Sequence, residues 1–313
     1  MKLQKTVVGS FPLKEPPIEK AIEQIIDIQL KHKIDVVSDG EQRSDMLGYF
    51  ESIPGLERSQ RGIFVSSKIS ALDDPKNFVK LKDLHFVMKL LEEKSRIDTH
   101  VKVTITGPIT LGFFCGVNGL KYYSNLRDLH LYSDFADALS PLILEIAKNN
   151  CYIQIDEPSL SSRVINPEDA VKIINRSFRE LPSFLYDKGR LVLHACGALN
   201  EPLLKEMVKL DVPTLSLAFS ATNVQKNIQV ISKQLLQSGE KKLGAGCISV
   251  QAASKGDVEK VEVVTRRLRS IIEKVGEEQI EFAHPDCGLR NTNPEAVELI
   301  LERMNSATKH IIE

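Results

Sequence analysis

The 313-residue chain has no tryptophan, and no tract of it is low in complexity. It also lacks any apolar run approaching the ~20 residues needed to cross a bilayer, which argues against a membrane protein. The first residues, Met1-Lys2-Leu3-Gln4-Lys5, have no apolar core of the signal-peptide kind, so a cytoplasmic protein is expected. Neither sign of charge is in excess. With 41 Lys+Arg against 42 Asp+Glu, the formal net charge is −1, which argues against nucleic acid as a partner. The five cysteines, at 115, 151, 196, 247 and 287, are odd in number and widely scattered. They do not form a disulfide framework, and they suit a reducing compartment and a role as metal ligands.

What is present is alternation. Short β-branched or apolar runs occur at Thr6–Ser10, Ile34–Ser38, Val101–Thr106, Tyr152–Ile155, Arg190–His194, Thr214–Phe219, Leu243–Val250 and Ile280–Ala283. Helical periodicity follows them at about Ile18–Lys33, Leu126–Asn149, Pro167–Leu185, Leu199–Leu210, Val224–Gln237, Val258–Val275 and Pro294–His310. Repeated strand–helix units imply a parallel sheet, and eight of them imply an α/β chain closed into a single (β/α)8 TIM barrel over residues 1–313. A doubly wound open sheet is the competing architecture, but no G-x-G-x-x-G follows the first strand. After strand 2, a stretch of about 45–100 is too long for an ordinary βα loop. It carries a hairpin near Gly62–Ile69 and a helix near Leu81–Lys94, as expected of an insertion over the barrel mouth.

Polar groups collect where these strands end: Ser10, Glu41, Asp156, His194 with Cys196, Cys247 with Ser249, and Cys287. In a barrel those ends share one face, where active sites lie. Residues two apart on a strand point the same way, so His194 and Cys196 offer a nitrogen and a sulfur to one space. An isolated H-x-C is equally the pattern of a buried histidine beside a buried cysteine. Convergence with Cys287 makes it a Cys₂His set, a catalytic zinc arrangement with one position open.

With those residues in place, the chain resembles the C-terminal catalytic barrel of cobalamin-independent methionine synthases. The matching landmarks are Val8-Gly9-Ser10-Phe11-Pro12, Asp39-Gly40-Glu41 with Arg43, Asp45 and Met46, and Thr106-Gly107-Pro108. They continue through Gln154-Ile155-Asp156-Glu157-Pro158, His194-x-Cys196 and Pro285-Asp286-Cys287-Gly288-Leu289. They keep the family's order across nearly the whole chain, without the additional N-terminal barrel of the family's longer members. The resemblance implies that His194, Cys196 and Cys287 hold Zn2+. It implies that Val8, Gly9 and Ser10 receive the carboxylate of L-homocysteine, with Glu41 and Asp156 on its ammonium.

The chain departs from the family pattern in three places. Ala218 stands where the family has a zinc-binding glutamate, so water, Cys247 or substrate would be the fourth ligand. Related zinc alkylthiol transferases have only an H-x-C and a distant cysteine as invariant protein ligands. Ser249 and Gln251 replace an aspartate and a catalytic histidine, which leaves Cys247 and Gln251 as the open catalytic candidates. Phe114 stands near the place of a stacking tryptophan, and Ser162 replaces a pterin-binding glutamate. The expected activity is therefore methyl transfer to homocysteine thiolate, giving L-methionine. The expected donor is a methylcobalamin or a corrinoid protein rather than methyl-folate. Methyl transfer to another thiol of the coenzyme M kind, or a non-catalytic zinc- or methionine-binding role, are the alternatives.

Overall fold

The computed structural model describes residues 3–184 and 189–312. Its strands are β1 (Gln4–Lys5), β2 (Val36–Val37), β3 (Leu56–Ser59), β4 (Gly62–Val65), β5 (His100–Thr106), β6 (Tyr152–Asp156), β7 (Leu191–Ala195), β8 (Thr214–Ala218), β9 (Lys242–Ile248) and β10 (Ile280–Pro285). The principal helices are α1 (Ile18–Lys31), α2 (Val79–Glu93), α3 (Pro108–Asn118), α4 (Leu129–Ala147), α5 (Pro167–Arg176), α6 (Glu201–Met207), α7 (Asn227–Val230), α8 (Lys233–Ser238), α9 (Val261–Val275) and α10 (Pro294–Ile312). Eight strands pair in the order β1-β10-β9-β8-β7-β6-β5-β2, each ladder parallel. A parallel bridge between Thr6 and Val36 brings the two ends of that sheet together. The seam is reinforced where the Thr6 hydroxyl donates to the Val36 carbonyl at 2.8 Å and the Lys5 amide donates to Asp35 at 2.7 Å. The fold is the expected (β/α)8 barrel.

The helices pack on the outside through one apolar stripe each, as in α9, where Val264, Leu268, Ile271 and Val275 are buried at helical spacing. The barrel interior is less usual. Branched apolar side chains generally fill it in layers. Here Val36, Tyr152, Val192 and Phe282 close only the base, with the Tyr152 and Phe282 rings edge-on at 5.6 Å. Above that plug the buried inward residues are polar: Lys102, Thr104, Gln154, Ser216 and His284. Room for them comes partly from β9. A Cβ on Gly244 would meet His284 Nε2 at 3.0 Å, and one on Gly246 would lie 2.7 Å from the Leu217 carbonyl oxygen and 2.8 Å from Asp286.

Strand 2 is shorter than expected, at Val36–Val37, and the hairpin lies earlier, at Leu56–Ser59 and Gly62–Val65; the larger differences from the sequence reading are four. Strand 1 was expected over Thr6–Ser10, but the ladder is confined to Gln4–Lys5 and the Thr6 bridge, and Val7–Ser10 leaves the sheet. Side chains take its carbonyls instead. Lys102 donates to Val7, Gln154 donates to Val8 at 2.8 Å, and Ser38 donates to Gly9 at 2.8 Å. Helix α3 was not expected. Its sequence is apolar almost throughout, because most of it is buried, so it has no amphipathic period to find. The signal available was Pro108 in its first turn. The helix expected over Val224–Gln237 is broken into α7 and α8, where Ser232 caps the second by accepting from the Leu235 amide. The helix expected over Pro167–Leu185 ends at Arg176, and Leu185 lies outside the described residues.

The insertion contains the β3–β4 hairpin and α2. It is tied to the barrel by Arg43, which makes a bidentate contact to Asp83 at 2.7–2.9 Å. Among the described residues, no helix is long and apolar enough to cross a membrane.

The approach of β9 to β8 at Gly246 gives a stability test. Gly246→Ala forces its Cβ against backbone at 2.7 and 2.9 Å, and overpacking of that kind costs about 1–3 kcal/mol. Urea unfolding should show that loss, and an unchanged midpoint would mean that β8 and β9 are not so close.

Candidate active site

Three soft ligands converge at the mouth. On β7, alternation turns Val192 and His194 inward, and Cys196 follows one residue past the strand's end. Cys287 lies two residues past the end of β10. One ligand atom from each of His194, Cys196 and Cys287 lies within 4.8 Å of the other two. His194 is buried, its Nδ1 lies 2.9 Å from Ser216 Oγ, and its Nε2 has no hydrogen-bond partner. A buried, unpartnered nitrogen is costly, and beside two sulfurs it has the chemistry of a vacant metal ligand. The thiols are also primed for one. Cys287 accepts a hydrogen bond from Cys196 and is pulled well below the ordinary thiol range, while Cys196, the donor, is raised.

Asp286 fixes Cys287 from behind. Its buried carboxylate accepts from the amides of Phe219 at 2.9 Å, Ser220 at 3.0 Å and Ala221 at 2.6 Å. It thereby ties the turn after β8 to the end of β10. Glu157 does the same for α3, accepting from the Ile109 and Thr110 amides at 2.9 Å each, and burial pushes its carboxyl up to about 8.

The metal-ligand cluster opens into a cleft of about 450 Å³ whose wall includes Val8, Ser10, Glu41, Asp156 and Arg290. Glu41 has φ +53° and follows Gly40 at φ +73°, a left-handed pair that turns its carboxylate back toward the barrel. One oxygen, Oε1, receives Lys80 Nζ at 2.7 Å and Thr104 Oγ1 at 2.8 Å. Burial opposes ionisation of Glu41, but Lys80 outweighs it and holds the carboxyl below its ordinary value. Asp156 has no such partner in contact. Burial raises it, and Gln154 Nε2 donates to its Oδ1 at 2.7 Å. Gln154 is itself oriented by Lys102, which donates to its Oε1 at 2.6 Å.

Of the residues singled out in the sequence, His194, Cys196, Cys287, Val8, Ser10, Glu41 and Asp156 all border this cleft. Gly9 lies behind it, packed where a Cβ would be 2.7 Å from Thr104 Cγ2. Cys247 does not join them. It is fully buried in the apolar layer with Leu243 and Ala245, and burial pushes its thiol up to about 12. Gln251 is exposed in the loop after β9 and is not among the cleft residues, and Ala218 is a buried methyl that offers no donor. Sequence reasoning missed Lys80, Ser216, His284 and the amide cradle around Asp286. For Lys102, a charge inside the run Val101-Lys102-Val103-Thr104-Ile105 was an available signal.

Comparisons with known proteins agree on one family. The family model described as "Cobalamin-independent synthase, Catalytic domain" matches residues 2–310. A methionine synthase of Methanothermobacter marburgensis is 28% identical over 302 residues, covering 96% of this chain and 90% of that protein. A 5-methyltetrahydropteroyltriglutamate–homocysteine methyltransferase of Coxiella burnetii is 25% identical over 98% of this chain but only 42% of its own length. Among solved structures, a B12-independent methionine synthase from Shewanella sp. W3-18-1, in complex with selenomethionine, superposes with a TM-score of 0.76. It is 19% identical, covers 99% of this chain and 98% of its own, and shows the shared fold.

The Asp286 cradle gives a second test. Asp286→Ala leaves the Ser220 and Ala221 amides without their acceptor, while Phe219 keeps the Gly246 carbonyl at 3.1 Å, at a cost on the order of 2 kcal/mol, whereas Asp286→Asn keeps an oxygen and loses less. Thermal unfolding and amide exchange at Ser220 and Ala221 should both report it. A fully stable alanine variant would mean that those amides have other acceptors.

Proposed function

Because the chain belongs to the family of cobalamin-independent synthase catalytic domains, a family of methyltransferases, we propose that it methylates the thiol of L-homocysteine to give L-methionine, with zinc held by His194, Cys196 and Cys287. The observation that carries this reading is the meeting, in one cleft, of that Cys₂His set with the buried Glu41 and the half-buried Asp156 carboxylates. The donor set fits zinc: two sulfurs and one unpartnered imidazole nitrogen. When bound, zinc supplies a Lewis acid that keeps a coordinating thiol deprotonated at neutral pH. Ala218 adds no fourth protein ligand, which leaves room for water or the acceptor's sulfur.

The remaining roles belong to the chain's own side chains. Glu41, kept ionised by Lys80, and Asp156, oriented by Gln154, accept from the acceptor's ammonium. Ser10 and the backbone at Val8 and Gly9 receive its carboxylate. Ser10 is pressed against Gly288, where a Cβ would sit 2.2 Å from its Oγ, so the carboxylate end is fixed relative to Cys287. Met46, Phe114 and Pro158 form apolar parts of the wall and limit water at the sulfur.

For the donor, we favour a methylated corrinoid, free or carried by a protein, over methyl-folate. The chain has no tryptophan to stack on a pterin, and Ser162, in place of a glutamate, donates its hydroxyl to the Ser159 carbonyl at 2.6 Å. The Coxiella relative whose name specifies a folate donor is more than twice as long as the region shared with this chain. The Methanothermobacter relative, of similar length to this chain, is named without a donor.

Purified protein should contain about one zinc per chain by metal analysis. Cys196→Ser and Cys287→Ser should each lose most of it, and Cys247→Ala should keep it. Stoichiometric zinc in the double serine variant would falsify the site. Chelation should abolish methionine formation before the circular dichroism of the barrel changes. With homocysteine present, methylcobalamin should yield methionine and methyl-tetrahydropteroylglutamate should not, with the reverse preference counting against the corrinoid donor. Asp156→Asn and Glu41→Gln should weaken homocysteine binding by roughly ten- to a hundredfold, the worth of one charge-assisted hydrogen bond. Calorimetric titration would show this, and unchanged affinity in both would place the acceptor's ammonium elsewhere.

A further inference from the structure

The polar interior beneath the metal ligands contains a directed chain of three hydrogen bonds. Pro285 O lies 2.7 Å from His284 Nδ1, His284 Nε2 lies 2.9 Å from Ser216 Oγ, and Ser216 Oγ lies 2.9 Å from His194 Nδ1. All three side chains are buried, at 1–2% exposure. A carbonyl oxygen can only accept, so the 2.7 Å contact with Pro285 places the His284 proton on Nδ1, although the Gly244 carbonyl is a second acceptor beside the ring. A neutral imidazole protonated at Nδ1 has a bare Nε2, and the one proton of the Ser216 hydroxyl is then donated there. Having given that proton to His284, Ser216 Oγ can only accept from His194. His194 is then the Nδ1–H tautomer, with its lone pair on Nε2, the nitrogen turned toward Cys287.

We infer that Ser216 and His284 are positioning residues, which act as a relay fixing the tautomer and ring orientation of His194 so that Nε2 is presented to a metal beside Cys196 and Cys287. Metal-ligating histidines generally donate their second nitrogen to an outer partner that sets which nitrogen binds. Here that partner is a neutral hydroxyl backed by a neutral histidine, rather than a carboxylate. The fold makes space for it at Gly244, where a Cβ would stand 3.0 Å from His284 Nε2 and 3.2 Å from the Ser216 Cα. The inference rests on the reading of His194 as a metal ligand, but its core statement, the tautomer, concerns the protein alone.

Two measurements on the full chain test it. The first is the protonation of His194 by long-range ¹H–¹⁵N correlation in metal-free protein, with the resonance assigned from a His194→Gln variant. The wild type should show the proton on Nδ1 at neutral pH, and Ser216→Ala should shift population toward Nε2–H. A wild-type proton on Nε2 overturns the relay, whatever the variants do. The second is zinc affinity by competition with a chelator. Ser216→Ala should weaken it roughly 10- to 100-fold, and Ser216→Thr, which restores the hydroxyl, should recover it. Equal affinity in wild type and Ser216→Ala overturns the relay while leaving the zinc site standing. Zinc retained in Cys196→Ser overturns the site and the relay together. If Ser216→Ala fails to fold, the wild-type tautomer and the threonine variant still decide the question.

Discussion

Most polar groups inside this barrel are paired with another protein group, since they are buried from bulk water; Thr214 Oγ1 is an exception. That constraint organises the site. Burying an unpaired polar group costs about 1–3 kcal/mol, so the interior above the Tyr152–Phe282 plug is built as connected chains. One chain runs from Lys102 through Gln154 to Asp156 and the Val8 carbonyl. The other runs from the Pro285 carbonyl through His284 and Ser216 to His194. Burial pushes His284 down to about 3, so it stays neutral and its hydrogen bonds keep one direction. The first chain rises from Lys102 to the mouth, and the second starts at Pro285, the last residue of β10, and passes through the buried His284 and Ser216 to His194. Residues at the mouth are thus positioned by a polar interior, which departs from the apolar layers that usually fill a barrel.

The Glu41–Lys80 pair obeys the same rule with full charges. A buried ion pair is weak evidence for stability, since desolvation offsets the Coulombic gain. Its value here lies in protonation. Lys80 sits over the Tyr49 ring at 3.9 Å and is held charged by Glu41 and Asp39 against the effect of burial. It comes from α2, inside the long insertion, so that segment contributes more than cover. It brings the countercharge that lets a carboxylate 9% exposed remain a carboxylate. Asp156 lacks a countercharge in contact and is raised accordingly. A ligand ammonium would therefore stabilise Asp156 more than Glu41, which already has its cation.

Much of this was legible in the sequence because it depends on strand ends. His194, Cys196 and Cys287 are read from short apolar runs and their terminal residues, and the barrel does the rest. Val7–Ser10 misled because a β-branched run ending in glycine has the local signature of a strand. Its carbonyls are claimed by Lys102, Gln154 and Ser38, which only tertiary structure reveals. Helix α3 was hidden for the opposite reason: burial on most faces erased its period. Lys80 gives no local warning, since a lysine in the amphipathic sequence of α2 reads as a solvated position. Ser216 and His284 were legible as residues but not as a pair, because their strands are brought together only by β9's two glycines.

The parity of β9 decides the role of Cys247. Gly244 and Gly246 face the barrel interior, where added Cβ atoms would meet His284 and Asp286. Alternation then turns Leu243, Ala245 and Cys247 outward, into the apolar layer under the helices. Moving Cys247 to the metal would need a one-residue slip, which would turn Leu243 and Ala245 inward as well and put side chains into the space the glycines keep clear. Nothing lining that space would yield easily, since the nearest contacts include the Leu217 carbonyl and the Ala218 Cα at 2.7 and 2.9 Å. The absence of a carboxylate at Ala218 is therefore not repaired from β9. In the proposed zinc site, with two sulfurs, one nitrogen and a methyl wall at the fourth side, the remaining ligand would have to come from the cleft, which is where an acceptor's sulfur would enter.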